Sequence, residues 1–219
     1  MKLLNNKLYH LAAEPPSDTD RRKFLIKTAA CAGIGAGLAS GTEAFAQTSG
    51  GVRWGIEGHE APEIKLDYWI DADGKPGHFS VLESRGKWVF LKCFQDWCPG
   101  CHSSGFPTLQ AFSNRFHDHP GVAIAAIQTV FEGYQSNTVD DVRKLQLRYE
   151  LPIVMGHDSG DPETDKRPVT MGEYFTGGTP WLILINPEGT VVFNHYHADP
   201  DKLIEYVAEQ LEAEATAKG

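Results

Sequence analysis

Apolar runs and turn-forming residues alternate between about residue 66 and residue 211, and the pattern predicts strands and helices in turn. Leu66–Ile70 and His78–Val81 read as short strand-like pieces around the turn Asp71-Ala72-Asp73-Gly74-Lys75-Pro76-Gly77. Trp88–Phe94 is nearly continuously apolar, as expected of a strand covered on both faces. From Cys98 to about His117 the spacing turns helical: Leu109, Phe112 and Phe116 fall at i, i+3 and i+7, with Pro107 as a kink. Val122–Ile127 reads as a second buried strand. A helix then follows to about Glu150, capped by Asn137 or Thr138, with Val142, Leu145 and Tyr149 inward.

The last third is the most regular. Thr179–Ile185 reads as a strand opened by proline, Asn186-Pro187-Glu188-Gly189 as a hairpin turn, and Thr190–His195 as the antiparallel partner. Asp199-Pro200 caps a final helix whose apolar stripe is Leu203, Ile204, Val207, Ala208 and Leu211. A β-α-β unit followed by a ββα unit around a central mixed sheet is the expected architecture.

The segment ahead of this pattern reads as an address. Asp20-Arg21-Arg22-Lys23-Phe24-Leu25-Ile26-Lys27 looks like a twin-arginine export signal, with Asp20 where Ser or Thr is usual. A weakly apolar, Ala- and Gly-rich stretch follows, and Ala44-Phe45-Ala46 reads as a cleavage site. The expected organisation is a signal peptide over 1–46, a flexible linker over 47–57 and one domain over 58–219, exported to the periplasm without stable membrane insertion. The formal net charge of −9 argues against nucleic acid and anionic membrane surfaces as partners.

Four cysteines occur, and Cys31 lies in the signal. Cys93, Cys98 and Cys101 remain, an odd number that does not make a disulfide framework. Cys98-Pro99-Gly100-Cys101 stands between a buried strand and a helix. This spacing lets two sulfurs meet as a disulfide or part as a dithiol. The first thiol faces unpaired N–H groups at the helix start, which favour the nucleophilic thiolate.

Four pieces, in order, resemble the thioredoxin superfamily, and within it the exported TlpA-like and ResA-like oxidoreductases that shade into the redoxins (AhpC/TSA-like). They are Gly58-His59-Glu60-Ala61-Pro62 with Arg85-Gly86-Lys87-Trp88-Val89, then Trp97-Cys98-Pro99-Gly100-Cys101, then Gly177-Gly178-Thr179-Pro180, then Asn186-Pro187-Glu188-Gly189. The resemblance implies a thioredoxin-like α/β fold with an N-terminal strand extension and an insertion before a cis-proline strand. It implies Cys98 as the attacking cysteine and Cys101 as the resolving one, flanked by Trp97. Pro180 matches the proline, cis in this fold, that brings the Thr179 backbone beside the sulfurs. No cofactor beyond the redox-active disulfide is implied. The partners are a protein thiol or disulfide client and a separate electron-donor or acceptor protein.

The chain departs from the pattern in places. Lys92 stands six residues before Cys98, where thioredoxins carry a buried aspartate. A buried Lys92 favours thiolate, whereas a snorkelling stem leaves the chemistry alone, and snorkelling is the expectation. Pro107 lies one residue further from the cysteines than usual, so an irregular helix start is expected. Pro99-Gly100 replaces Gly-Pro, so the direction of electron flow does not transfer. Phe131–Gly178 is long. Glu132 or the Asp158–Arg167 loop are candidates to shape a substrate groove, with most of the segment read as solvated surface.

Other chemistries fit parts of the sequence. Cys98-x-x-Cys101-His102 matches a c-type haem attachment signature, with His102 as proximal ligand and Met155 or Met171 opposite. The cysteine pair with His195-x-His197 or His117-x-His119 suggests a copper chaperone, although such proteins use a wider cysteine spacing. Peroxiredoxins need a threonine three residues before the peroxidatic cysteine, and Gln95 stands there, so negligible peroxidase activity is expected. Cys93 reads as a small buried hydrophobe.

Overall fold

The structure is a computed structural model and describes residues 54–217. The expected signal peptide lies outside the described residues. Six strands form one mixed sheet: β1 (Tyr68–Ile70), β2 (Trp88–Phe94), β3 (Val122–Val130), β4 (Val154–Ser159), β5 (Trp181–Ile185) and β6 (Val191–His195). Their order is β1-β4-β3-β2-β5-β6. β2, β3 and β4 run parallel, whereas β1, β5 and β6 join antiparallel to their neighbours.

Side chains alternate across the sheet and divide the core in two. Phe90, Phe94 and Leu184 face α1 (Phe106–Phe116), α2 (Val139–Arg148) and α4 (Pro200–Ala217), where Phe90 stacks on Phe112 at 4.2 Å. Val89, Leu91, Cys93 and Trp181 face Trp69, Phe79, Val81 and Tyr174 on the other side. Every residue of β2 is buried. The antiparallel pairing of β2 with β5 sets Cys93 opposite Trp181, so the end of β2 meets the start of β5. This places the Cys98–Cys101 segment beside residues 179–180.

The structure corrects several expectations. His78–Val81 is not a strand. Glu63 accepts hydrogen bonds there from Ser80 Oγ at 2.6 Å and from the Val81 and Leu82 N–H groups at 3.0 Å, so a carboxylate replaces the strand ladder. The 131–178 segment is mostly exposed or half-exposed, as expected, but it is not all loop: β4 lies inside the sheet, followed by α3 (Val169–Glu173), whose first N–H groups bind buried Asp158. Trp54–Glu57, read as the end of the linker, are tied to the domain. Gly55 N–H donates to the Phe175 carbonyl, Trp54 packs on Phe175 and Glu57 accepts from the Asn194 N–H.

The irregular helix start is present. Cys101–Gly105 form a π-turn, closed by Phe106 N–H donating to the Cys101 carbonyl. Pro107 supplies no N–H and its ring crowds the carbonyl four residues back, and a widened turn relieves that conflict. Thr138 caps α2 through a reciprocal capping box with Asp141. Among the described residues no helix is long and apolar enough to cross a membrane.

Candidate functional site

The helical turns after β2 carry the two cysteines into the core on the Phe90 side of the sheet. Cys98 is 7% exposed and Cys101 fully buried. Cys101 N–H donates to Cys98 Sγ at 3.3 Å, and the Cys98 thiol reaches the Thr179 carbonyl at 3.5 Å. The Thr179–Pro180 bond is cis, as expected. Burial, then the hydrogen bond with Cys98, pushes the Cys101 thiol up to about 12. Cys98 is thus the more accessible sulfur and Cys101 the protonated one held behind it.

Trp97 is 47% exposed and Pro99 is also on the surface, so the pair sits under a partly apolar rim. Gly133 adopts φ 61°, and a Cβ there would lie 2.7 Å from Trp97 Nε1. Only glycine gives both that backbone and that clearance. Gly100 packs under the Pro180 ring. The Glu132 side chain is exposed. Its contribution is its carbonyl, which accepts from Gln95 Nε2 at 3.2 Å.

Lys92 overturns the snorkelling expectation. It shares the face of Phe90 and Phe94, beneath the π-turn, and is 1% exposed. Its strand is flanked by β3 and β5 and covered by α1, which leaves the stem no route to water. Burial holds its ammonium down to about 8, against the opposing pull of Cys101, Cys93 and Cys98 when ionised. Cys93 points to the opposite face, where burial pushes it up to about 12.

Two neighbours of the site carried no sequence signal for this place. Ser104 Oγ donates to the Gly100 carbonyl at 3.0 Å and lies 3.2 Å from His197 Nδ1. A hydroxyl has one proton, so His197 Nδ1 donates to Ser104 and Nε2 keeps its lone pair. Burial, then the charge of Lys92, lowers the His197 pKa. On the other side Asn137 accepts from the Asp96 N–H at 2.7 Å and donates to the Gly133 carbonyl, so it bridges the loops around Trp97.

Apart from His197, the residues of the other readings are held by partners of their own or buried away from the sulfurs. Both ring nitrogens of His102 are engaged, with Tyr149 Oη at 2.6 Å and with the Asp96 carbonyl. Met155 is fully buried on β4. His195 pairs with Glu57 at 3.7 Å and His117 with Asp118 at 3.0 Å. Among the described residues no three His, Cys, Asp or Glu side chains converge as a metal site.

Fold and site together are those of a thioredoxin-like thiol–disulfide oxidoreductase. The AhpC/TSA family matches residues 57–194, and the chain belongs to that family. Among solved structures it is similar to a thioredoxin-like superfamily protein, SPOA0173, at 27% identity and TM-score 0.58, covering 68% of this chain and 94% of that one. It is also similar to a thiol-disulfide isomerase from Corynebacterium glutamicum, at 26% identity and TM-score 0.57, covering 68% and 95%. The thioredoxin domain of a thiol-disulfide oxidoreductase from Bacteroides vulgatus shares the fold at 24% identity and TM-score 0.52, covering 70% and 96%. No sequence match to a curated protein was found.

Proposed function

We propose that the protein is an exported, periplasmic oxidoreductase that reduces disulfides of protein clients through Cys98 and Cys101. The observation that carries this reading is one juxtaposition: Cys98 Sγ lies between the Cys101 N–H and the Thr179 carbonyl. Cys98 thiolate attacks a client disulfide, forming a mixed disulfide and releasing one client thiolate. Cys101 then attacks Cys98 Sγ, closing the protein disulfide and releasing the second client thiol. Two electrons pass to the client, and a separate donor protein restores the dithiol.

The half-buried Thr179 backbone beside the sulfur supports recognition of an extended client strand through main-chain hydrogen bonds. The exposed Trp97 ring and Pro99 offer an apolar contact next to it. Export rests on Arg21-Arg22, the apolar stretch and Ala44-Phe45-Ala46. An Arg21→Lys, Arg22→Lys double variant is expected to stay uncleaved inside the cell.

The deciding experiment is the equilibrium reduction potential of protein starting at Gln47, read by alkylation mass in thiol–disulfide buffers. A value below about −220 mV supports a reductase, and one above about −150 mV would make the protein a disulfide donor instead. Absence of a reversible two-electron couple would remove the oxidoreductase reading.

A further inference from the structure

A cleft of about 470 Å3 takes no part in the exchange as described so far. Trp54, Phe131, Tyr134, Met171, Thr176 and Gly177 line it. Both of its aromatic walls are tied to the cysteine site. On one wall Trp54 lies against Gly177, where a Cβ would meet the indole at 2.9 Å. Gly177 stands two residues before Thr179, whose carbonyl lies 3.5 Å from Cys98 Sγ. On the other wall, Phe131 and Tyr134 flank Gly133, the glycine that lets Trp97 close in. The cleft is therefore continuous with the surface around Cys98 and Thr179.

The lining selects what fits. Asp161 and Asp165 are offset at the cleft by Lys166 and Arg167, so its net charge favours neither an anion nor a cation. The walls are rings: Trp54, Phe131 and Tyr134 are each half-buried, and an entering ring would take their remaining apolar area from water. Thr176 is 1% exposed, and its hydroxyl has no hydrogen-bond partner among the described residues. A buried hydroxyl left unpaired is a cost that a phenol can relieve and a plain ring cannot.

Resting on the exchange reading above, we propose that this cleft takes a tyrosine side chain of the client, two residues away from the client cysteine that Cys98 attacks. Two residues of extended chain span about 7 Å, which matches the two-residue step from Thr179 to Gly177. Alternate side chains of a strand share a face. A client strand laid along Thr179 and Gly177 thus presents its cysteine to Cys98 and the residue two positions away to the cleft. The insertion and the Trp54 segment together set which disulfides are attacked fastest.

The test uses the mature protein in its dithiol form and short glycine–serine peptides. Each peptide carries one cysteine, held as a mixed disulfide with nitrothiobenzoate. Cys98 thiolate attacks the peptide sulfur, the Cys98–peptide bond forms, and the coloured nitrothiobenzoate leaves as thiolate. Tyrosine, phenylalanine or alanine stands two residues before the cysteine in one series and two residues after it in the other. In one of the series tyrosine is expected to react about tenfold to a hundredfold faster than alanine. It is expected to react about twofold to tenfold faster than phenylalanine.

Trp54→Ala is expected to cut the tyrosine-to-alanine ratio at least about threefold, and Thr176→Val to bring tyrosine down to phenylalanine. Each ratio is taken within one protein, so a variant that folds less well lowers both rates and leaves the ratio intact. Equal rates for all three residues in both series, tyrosine no faster than phenylalanine, or an aromatic preference untouched by Trp54→Ala would overturn the proposal. Failure of every peptide, alanine included, to release the coloured thiol would instead sink the exchange reading, and the proposal with it.

Discussion

Gly105 sits where the π-turn, the Pro180 ring and the Lys92 stem meet, and adding one methyl there should cost stability. Its backbone is helical, with φ −60° and ψ −57°, so alanine meets no backbone penalty. Taken alone, the change from glycine to alanine in a helix stabilises by up to about 1 kcal/mol. The new Cβ would lie 2.9 Å from Pro180 Cβ and 3.3 Å from Lys92 Cε. The first is a ring atom that cannot rotate away, and the second belongs to a buried stem. Overpacking of this kind costs about 1–3 kcal/mol, so Gly105→Ala should lose about 1–2 kcal/mol net.

Gly172 in α3 is the internal control, since a Cβ there meets nothing within 4 Å. Gly172→Ala should gain up to about 1 kcal/mol. Urea unfolding of the reduced protein measures both. With a slope near 2 kcal/mol/M, the two midpoints should separate by roughly 1 M at unchanged slope. A Gly105→Ala midpoint at or above wild type would refute the packing argument, because only the helix preference would then be acting.

Asp158→Ala removes the carboxylate that receives the Val169 and Thr170 N–H groups at 2.8 and 2.7 Å. Two buried donors lose their acceptor, and urea unfolding should report a loss of about 1–3 kcal/mol, with α3 the first segment to exchange its amides. Glu63 is pushed up by burial, but hydrogen bonds from Ser80, Leu82, Val81 and Ile64 outweigh that and leave its pKa below the usual 4.5. A carboxylate with a depressed folded-state pKa stabilises above its unfolded value and loses that contribution as pH falls through the folded one. Unfolding from pH 6 down to pH 3 should therefore show a steeper decline in wild type than in Glu63→Gln. Trp97→Ala should change stability by less than about 0.5 kcal/mol, because about half of the residue stays in water, while slowing reaction with a protein disulfide more than with a small one.

How far the sequence revealed the fold depended on how local each determinant is. β2 and β5 were legible because seven and five consecutive residues carry the apolar signal of a strand buried on both faces. Lys92 was misjudged within that same run. Whether a lysine stem finds water depends on the strands beside it and the helix over it, which its neighbours in sequence do not specify. β4 was missed because Gly156, His157, Asp158 and Ser159 read as loop. In the fold their polarity is met from afar, His157 by Gln128 and Asp158 by the N-terminus of α3.

His78–Val81 failed in the opposite direction. Phe79 and Val81 are buried, but a carboxylate 17 or 18 residues earlier accepts from Ser80 Oγ and the Val81 N–H in place of a partner strand. At the site, Cys98 and Cys101 were legible as a motif and Thr179-Pro180 through family resemblance. The contact of Ser104 with His197 spans 93 residues and leaves no local trace. Pro107 did carry a local signal, and the π-turn before it is the physical form that signal takes.

Cys98 and Cys101 both belong to the same buried cluster as Phe90, Phe106, Leu109 and Phe112. Making or breaking a bond between them is therefore an event in the hydrophobic core as well as at the surface cleft. The dithiol and disulfide forms must differ in folding stability by the free energy that also separates the reduction potential of the pair from that of an unfolded chain. Any core substitution that favours one form over the other by about 1.4 kcal/mol moves the potential by about 30 mV, without touching sulfur or client. The packing of this domain is in that sense part of its redox couple, and its electron affinity can drift with residues far from any reacting atom.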